Sequence, residues 1–171
     1  MRRVTALVGA AAVALWATAV FAQAKNFSGT WTVDQEKTTA ANPAPAGGGG
    51  GGGGRAGGGG GGRGGAQGPM TVKQDATTLS VERQGQNGPT TTTYTLDGKA
   101  HKVTMGQGEA DVTAKVVGST IEIETTRDMG GTPATTKQVW SMDGDWLVIA
   151  STNPPRGGGE ATTRKTYYKK G

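Results

Sequence analysis

The chain has 171 residues, 32 of them glycine and none of them cysteine, with 18 basic and 13 acidic residues. This length fits one domain, and the lack of cysteine excludes a fold held by disulfides. Four arginines lie at the N-terminus or in a glycine tract, outside the part of the sequence that can build a core. The other 14 basic residues nearly balance the acids, so the pI of about 9.6 does not indicate a nucleic-acid-binding surface.

The N-terminus has the three-part pattern of a secretory signal peptide. A cationic start, Met1 to Arg3, precedes an uncharged and mostly apolar run from Val4 to Val20, and small residues follow. Cleavage fits before Gln23 or before Lys25, and we take residues 1–24 as the leader. A transmembrane anchor, the alternative, needs about 20 apolar residues, and the run has 17. We expect general secretion to the periplasm or the cell exterior, with no membrane anchor after cleavage.

The folded domain is expected to span residues 25–171 and to carry a disordered glycine-rich loop at about 41–69. Gly47 to Gly65 contains 16 glycines, two arginines and one alanine. Such a segment has no side chains to bury, so it cannot offset the entropy lost on ordering. RNA-binding glycine-arginine segments repeat the arginine and interleave aromatic residues. This tract does neither, which favours a flexible spacer and no nucleic-acid partner.

Outside the tract, apolar and polar residues alternate with the period of two that half-buried strands show. Ile121 and Ile123, for example, alternate with Glu122 and Glu124. Glycine and proline interrupt every stretch before a helix could run far, so we predict no helix. Ten strands are expected, near residues 28–34, 70–75, 78–83, 91–96, 100–105, 110–117, 119–127, 134–142, 145–152 and 161–170.

Turn residues join these strands as consecutive hairpins. Asp97-Gly98 and Asp143-Gly144 are strong two-residue hairpin signals. A run of hairpins with one apolar face either folds into a sandwich or closes into a barrel, and closure removes the exposed edges. We predict an all-β fold, a single antiparallel up-and-down barrel of about eight to ten strands, which acts as a monomer.

The first predicted strand resembles the Phe-x-Gly-x-Trp opening of lipocalins and cytosolic fatty-acid-binding proteins, with Phe27, Gly29 and Trp31 at the motif positions. The last two strands are similar in layout to the last hairpin of the fatty-acid-binding proteins. The whole chain resembles small exported bacterial lipocalin-like (calycin-type) β-barrel proteins of unestablished function. This resemblance implies a barrel that holds a small apolar ligand, with Trp31 as part of the structural core.

The resemblance also implies where a ligand would be anchored. Fatty-acid-binding proteins hold a carboxylate with an Arg-x-Tyr pair near their C-terminus. Here the pattern is incomplete, because Arg164 and Tyr168 are four residues apart. They share one face of the last strand and are our candidate ligand-binding residues. The pocket lining is expected from the apolar strand faces, including Val72, Leu79, Val81, Leu96, Ile121, Ile123, Leu147 and Ile149.

Nothing in the sequence specifies an enzyme. The single histidine, His101, follows a turn, is expected to be exposed, and lacks the partners that a zinc site or a general base needs. We therefore predict no catalytic residue, no metal and no cofactor. The expected function is non-enzymatic binding of a small apolar molecule. The alternative is a cell-envelope interaction or structural domain with a filled core and no ligand.

Removing Gly47–Gly65 should leave the free energy of unfolding unchanged or slightly higher, because a shorter loop costs less entropy to close. Thermal unfolding of the shortened chain beside the full chain measures this. A chain that carries an equally long Gly-Ser linker in place of the tract controls for length. A large fall in melting temperature on deletion would show that the tract packs on the folded domain.

Overall fold

The computed structural model describes residues 25–43, 68–85, 88–105, 108–128, 130–155 and 160–171. The expected signal peptide, residues 1–24, and the glycine tract, Gly47 to Gly65, lie outside these residues. The described strands are β1 (Gly29–Val33), β2 (Met70–Gln74), β3 (Thr78–Gly85), β4 (Gly88–Thr95), β5 (Asp97–Met105), β6 (Gly108–Val117), β7 (Thr120–Asp128), β8 (Pro133–Asp143), β9 (Trp146–Asn153) and β10 (Thr162–Lys170), and a helix, α1 (Gln35–Ala41), follows β1.

All ten strands belong to one antiparallel sheet with the order β4-β3-β2-β1-β10-β9-β8-β7-β6-β5. Chain neighbours pair throughout, except that β4 and β5 occupy the two edges of the sheet. The first and last strands pair instead, with Trp31 opposite Lys170. Because β4 also packs beside β5 and β6, the sheet curls into a nearly closed barrel. The predicted all-β up-and-down barrel is confirmed.

The period-two pattern divides each strand between the two faces of the sheet. Ile121 on β7 lies opposite the buried Trp140 on β8, and Glu122 between the two isoleucines points outward. Alternate residues of neighbouring strands therefore build one interior. Its fully buried large side chains are Phe27, Met70, Val72, Leu79, Ile121, Ile123, Trp140 and Leu147.

The prediction of no helix is wrong for α1. Asp34 caps its N-terminus by accepting a hydrogen bond from the Lys37 amide at 3.0 Å, as N-cap residues do. The helix spans seven residues, less than two full turns, which is too short for a helical period to show in the sequence. Within the described part of the chain, no helix is long and apolar enough to cross a membrane.

The helix α1 continues along β10 where β1 has ended at Val33. The Asn42 side chain accepts from the Lys165 amide at 2.9 Å and donates to the Lys165 carbonyl at 2.7 Å. One turn earlier, the Thr38 hydroxyl accepts from the Tyr167 amide at 2.9 Å. Two side chains of this segment thus satisfy the backbone groups that a longer β1 would have paired.

Asp97-Gly98 does not form the predicted hairpin turn. The strands on either side of it, β4 and β5, are not paired, and the dipeptide begins β5. Gly98 has a φ of +73°, and the register between β5 and β6 shifts between Asp97 and Ala100, as in a β-bulge. The other signal holds, because β8 and β9 are joined by a tight turn in which Gly144 has a φ of +61°.

The spacing of Phe27, Gly29 and Trp31 has a structural reason. The indole N–H of Trp31 donates to the Phe27 carbonyl at 2.8 Å, and Trp31 is 3% exposed. Gly29 lies between them with a φ of +146°, and a Cβ there would stand 3.3 Å from Lys170 Cε. The motif therefore turns the chain just before β1, and Phe27 is buried in the core.

Trp31→Ala should lower the free energy of unfolding by about 3–5 kcal/mol, the usual loss when a large aromatic ring is removed from a core. Urea unfolding measures the change. Trp146→Ala is the matched control, because the Trp146 ring is only partly buried on the outer face and its loss should cost less. Equal losses in the two variants would refute the anchoring role of Trp31.

The turn between β2 and β3 is held by one carboxylate. Asp75 accepts from the Thr78 hydroxyl at 2.6 Å and from the Thr77 and Thr78 amides at 2.8 and 2.7 Å. These hydrogen bonds, that from the Thr78 hydroxyl first, lower the pKa of Asp75 from 3.8 to about 2.

Because the folded state lowers this pKa, the Asp75 contribution to stability is present above the unfolded value of 3.8 and is lost as pH falls toward about 2. Unfolding measured from pH 5 down to pH 2 should show part of this loss in the wild type. Asp75→Asn should be less stable at pH 5 and should lose less over the same range. Parallel curves for the two proteins would contradict the assignment.

Candidate functional site

The inner face of the barrel is apolar and fully buried at one end and becomes polar and partly exposed toward the other. β3, β5, β7 and β9 finish at one end of the barrel, which we call the open end. At the opposite end the interior is filled by large apolar side chains, which we call the floor. Phe27 and Trp140 meet there edge to face, with ring centroids 6.3 Å apart. None of the fully buried residues in the described part of the chain is polar or charged.

Three strands carry an arginine on their inward face near the open end. On β3, the buried Leu79 and Val81 are followed two residues later by Arg83. On β7, the inward row runs from the buried isoleucines through Thr125 to Arg127. On β10, it runs from the buried Tyr168 to Arg164. We call Arg83, Arg127 and Arg164 the rim.

Between the floor and the rim, one side of the inner face is polar. The register of β7 to β10 places hydroxyl and amide side chains inward, each of them partly buried. The Gln138 amide oxygen accepts from the indole of Trp140 at 3.2 Å. These inward polar residues are Thr125, Thr136, Gln138, Ser151 and Thr166. The facing strands β4 and β5 contribute Tyr94, Val103 and Met105, which pack against the core.

Two rim arginines act on one hydroxyl. Burial raises the pKa of the Tyr94 phenol, and the positive charges of Arg83 and Arg127 work against that rise. The Arg127 guanidinium reaches from β7 across β6 to β5, where it lies 2.9 Å from the Met105 sulfur. Arg83 approaches from β3, the neighbour of β4. Arg83 pairs with Thr90, so it lies four residues nearer the open end than Tyr94, which pairs with Leu79.

Acidic residues lie on the other side of the wall. Lys102 pairs with Asp111 at 3.1 Å, and Lys137 pairs with Glu122 at 3.1 Å, on outward positions of β5 to β8. Lys115 joins Glu122 at 3.6 Å. By register, no aspartate or glutamate of the described strands takes an inward position at the open end. Among the described residues, the inner rim is thus cationic and the outer wall is charge-balanced.

The two residues singled out from the sequence share the inward face but lie at different depths. Tyr168 is 3% exposed and belongs to the core, whereas Arg164 is exposed at the rim. Their four-residue separation corresponds to about 13 Å along the strand. They line the same wall without meeting at one point, and their role as ligand residues stays a prediction.

Arg83 and Arg127 were not among the residues singled out from the sequence. A signal was present, because each follows an apolar strand face at even spacing, Val81 before Arg83 and Ile123 before Arg127. Extending the period-two face to the strand end would have placed both side chains inward. The pattern alone could not tell how β3 and β7 are arranged around the barrel.

Two other features belong to the general structure. His101 lies on β5 with a side chain that is 40% exposed, and its Nε2 is 3.0 Å from Asp97, so this contact spans the β-bulge.

A depression of about 200 Å³ lies on the outer face of β2 to β4, lined by Thr71, Lys73, Ser80, Glu82 and Thr91. Ligand pockets usually measure about 300–1,000 Å³ and are mostly apolar, so this depression does not fit one.

The described architecture defines the class of fold, a calycin-type barrel like those of fatty-acid-binding proteins and lipocalins. No protein-family model matches the chain, and no curated protein matches it. Among solved structures, it is similar to a protein named "REP1-NXSQ fatty acid transporter", with a TM-score of 0.54 and 13% identity over 84% of this chain and 95% of that one.

Two further similar structures have the same barrel. A zebrafish ileal bile acid-binding protein complexed with cholic acid has a TM-score of 0.52 and 15% identity, over 85% of this chain and 98% of that one. A point mutant of the fluorescent protein UnaG has a TM-score of 0.52 and 17% identity, over 84% of this chain and 95% of that one. At these identities the likeness establishes the fold alone. None of the three is named as an enzyme.

Proposed function

We propose that this protein is an exported, non-enzymatic barrel that binds a small, largely apolar molecule in the upper half of its interior. One observation carries the proposal. Inward-facing residues at the open end are reached by solvent, Arg127 and Arg164 among them, although the same strand faces are fully buried at the floor. A barrel filled by its own side chains would place buried apolar residues at those positions too.

The upper interior offers the two kinds of surface that a small-molecule site needs. Val103 and Met105 supply partly buried apolar surface on the side of β5. The hydroxyl and amide groups of β7 to β10 face them and can orient a guest. Sites for small molecules are mostly apolar, with a few placed polar groups that fix orientation.

The similar structures support this proposal as precedents for the fold. One is named as a fatty acid transporter, and another is complexed with cholic acid. Both ligands combine an apolar body with a carboxylate. Export rests on the leader expected at residues 1–24, which would bring the barrel to the periplasm or the cell exterior. Arg164 and Tyr168 stay proposed ligand contacts on the wall of β10.

The alternative, an interaction or structural domain without a ligand, is favoured by the filled floor. Phe27, Trp31 and Trp140 occupy the space that a deep ligand would need. The two candidates therefore differ in whether the upper half admits a guest.

An uncharged dye separates them. N-phenyl-1-naphthylamine fluoresces strongly in apolar surroundings, and we expect the wild type to bind it with one site per chain. Thr125→Trp should weaken this binding at least tenfold, because a ring at an inward, partly buried position occupies the upper interior. Thr126→Trp is the matched control, because Thr126 points outward and bonds the Thr135 hydroxyl at 2.8 Å.

Native mass spectrometry of the purified protein provides a second measurement, since a co-purifying small molecule also supports binding. The ligand-free domain would be the better conclusion if the dye fails to bind the wild type. The same conclusion follows if the two tryptophan variants bind the dye equally well.

A further inference from the structure

We propose that the polar side of the upper interior binds an uncharged head group with several hydroxyls, such as a sugar or another polyol. The side chains that form this polar wall are Thr125, Thr136, Gln138 and Ser151, on β7, β8 and β9. This inference rests on the proposed function, because the head group is the polar end of the molecule that the barrel binds. The ligand class is a neutral amphiphile with a hydroxyl-rich end.

The polar wall is one continuous patch. Thr125 on β7 lies directly opposite Thr136 on β8. Gln138, two residues further along β8, lies directly opposite Ser151 on β9. Neighbouring strands are about 4.8 Å apart, and residues two positions apart on one strand are separated by about 7 Å. Four hydrogen-bonding side chains on three adjacent strands are therefore within reach of one head group of the size of a sugar ring.

The hydroxyls of the polar wall have no hydrogen-bond partner in the described part of the protein. On the outer face of the same two strands, Thr126 and Thr135 lie opposite each other and their hydroxyls bond at 2.8 Å. Thr125 and Thr136 are opposite in the same way, yet neither hydroxyl bonds a described residue, and the same is true of Ser151. Each hydroxyl has one donor and two acceptor positions, which are thus available to a ligand.

Partial burial makes these groups selective. Each residue of the polar wall is partly buried, so a ligand that covers the wall removes its remaining water. A hydroxyl or amide that loses water without gaining a partner destabilises the complex. The Gln138 oxygen already accepts from the Trp140 indole at 3.2 Å, which leaves the amide N–H donors for the ligand. A head group with both donors and acceptors pairs this wall, whereas an apolar surface does not.

The polar wall favours a neutral head group over an anion. A carboxylate or sulfonate only accepts hydrogen bonds, and it is smaller than the wall, whose two rows are about 7 Å apart. Two rim arginines border the wall, Arg164 opposite Ser151 and Arg127 two residues beyond Thr125. Both are exposed, so salt and water screen their charges, and neither lies between the wall residues.

The apolar part of such a ligand has surface beside the polar wall. Ile123 lies directly opposite Gln138 and is buried, so the apolar floor begins at the lower edge of the wall. Val103 and Met105 on β5 add partly buried apolar surface. A head group on the wall and an apolar body against these residues together match both kinds of surface.

The test compares octyl β-glucoside, 1-octanol and octanoate, which share an eight-carbon chain, each below its micelle concentration. We expect the glucoside to displace N-phenyl-1-naphthylamine at concentrations about tenfold lower than the other two, because its hydroxyls pair groups that they leave unpaired. Its affinity should be the same at low and high salt. Free glucose, which lacks the chain, should not displace the dye at the same concentrations. Displacement by glucose would overturn the assignment of the ligand as an amphiphile.

Two double variants on the same strands locate the effect. Thr125→Val with Thr136→Val removes two inward hydroxyls at nearly constant shape and should weaken binding of octyl glucoside about tenfold. This variant should bind the neutral dye at least as tightly as the wild type, which also shows that it is folded. Thr126→Val with Thr135→Val removes the outward pair and should leave the affinity for the glucoside unchanged.

The inference and the function on which it rests fail in different ways. If the wild type binds the dye but the glucoside competes no better than 1-octanol, the polar wall does not select hydroxyls and the binding function stands. The same conclusion follows if the inward and outward double variants bind the glucoside equally, or if octanoate competes best and weakens with salt. If the wild type binds neither the dye nor any probe, the binding function is lost as well.

Discussion

The pairing of the first strand with the last is the contact on which the rest of the fold depends. Other strand pairs join chain neighbours, so short hairpins can form them locally. The β1–β10 pair joins the two ends of the domain through only three residue pairs, from Trp31 opposite Lys170 to Val33 opposite Tyr168. Burial of Trp31 and the indole hydrogen bond to Phe27 hold this short contact in place. Asn42 and Thr38 then extend it by covering the next backbone groups of β10.

This form of closure determines where the two edges of the sheet meet. With β1 and β10 paired, the remaining two sheet edges are β4 and β5, and they meet without a ladder of hydrogen bonds. Tyr94 on β4 and Met105 on β5 lie on these edge strands and pack against the core, and the Arg127 guanidinium reaches Met105 at 2.9 Å.

The local part of this architecture was predictable from the sequence, and the global part was not. The ten strands follow the expected bounds closely because period-two alternation is a property of each segment. The hairpin predicted at Asp97-Gly98 was wrong because a turn dipeptide indicates only the local conformation. Whether β4 and β5 pair depends on how the whole sheet closes. The helix α1 was not predicted because hydrogen bonds to the distant residues Lys165 and Tyr167 stabilise it. Such contacts cannot be recognised in a seven-residue stretch of sequence. Arg83 and Arg127 could be placed inward by counting, but which strands lie between them requires the strand order.

The charge distribution also limits the orientation that a ligand of the proposed kind can take inside the barrel. In the described residues, no charged or polar side chain is fully buried, so the floor cannot compensate a charge carried down to it. Moving an unpaired carboxylate or phosphate from water into such surroundings is costly. The rim reverses that balance, since it offers guanidinium donors in contact with solvent. A ligand with one anionic end therefore has a single favourable direction of entry, apolar body first, and the filled floor limits its depth. For the proposed binding function, discrimination between ligands would then depend on the length of the apolar body that fits above the floor.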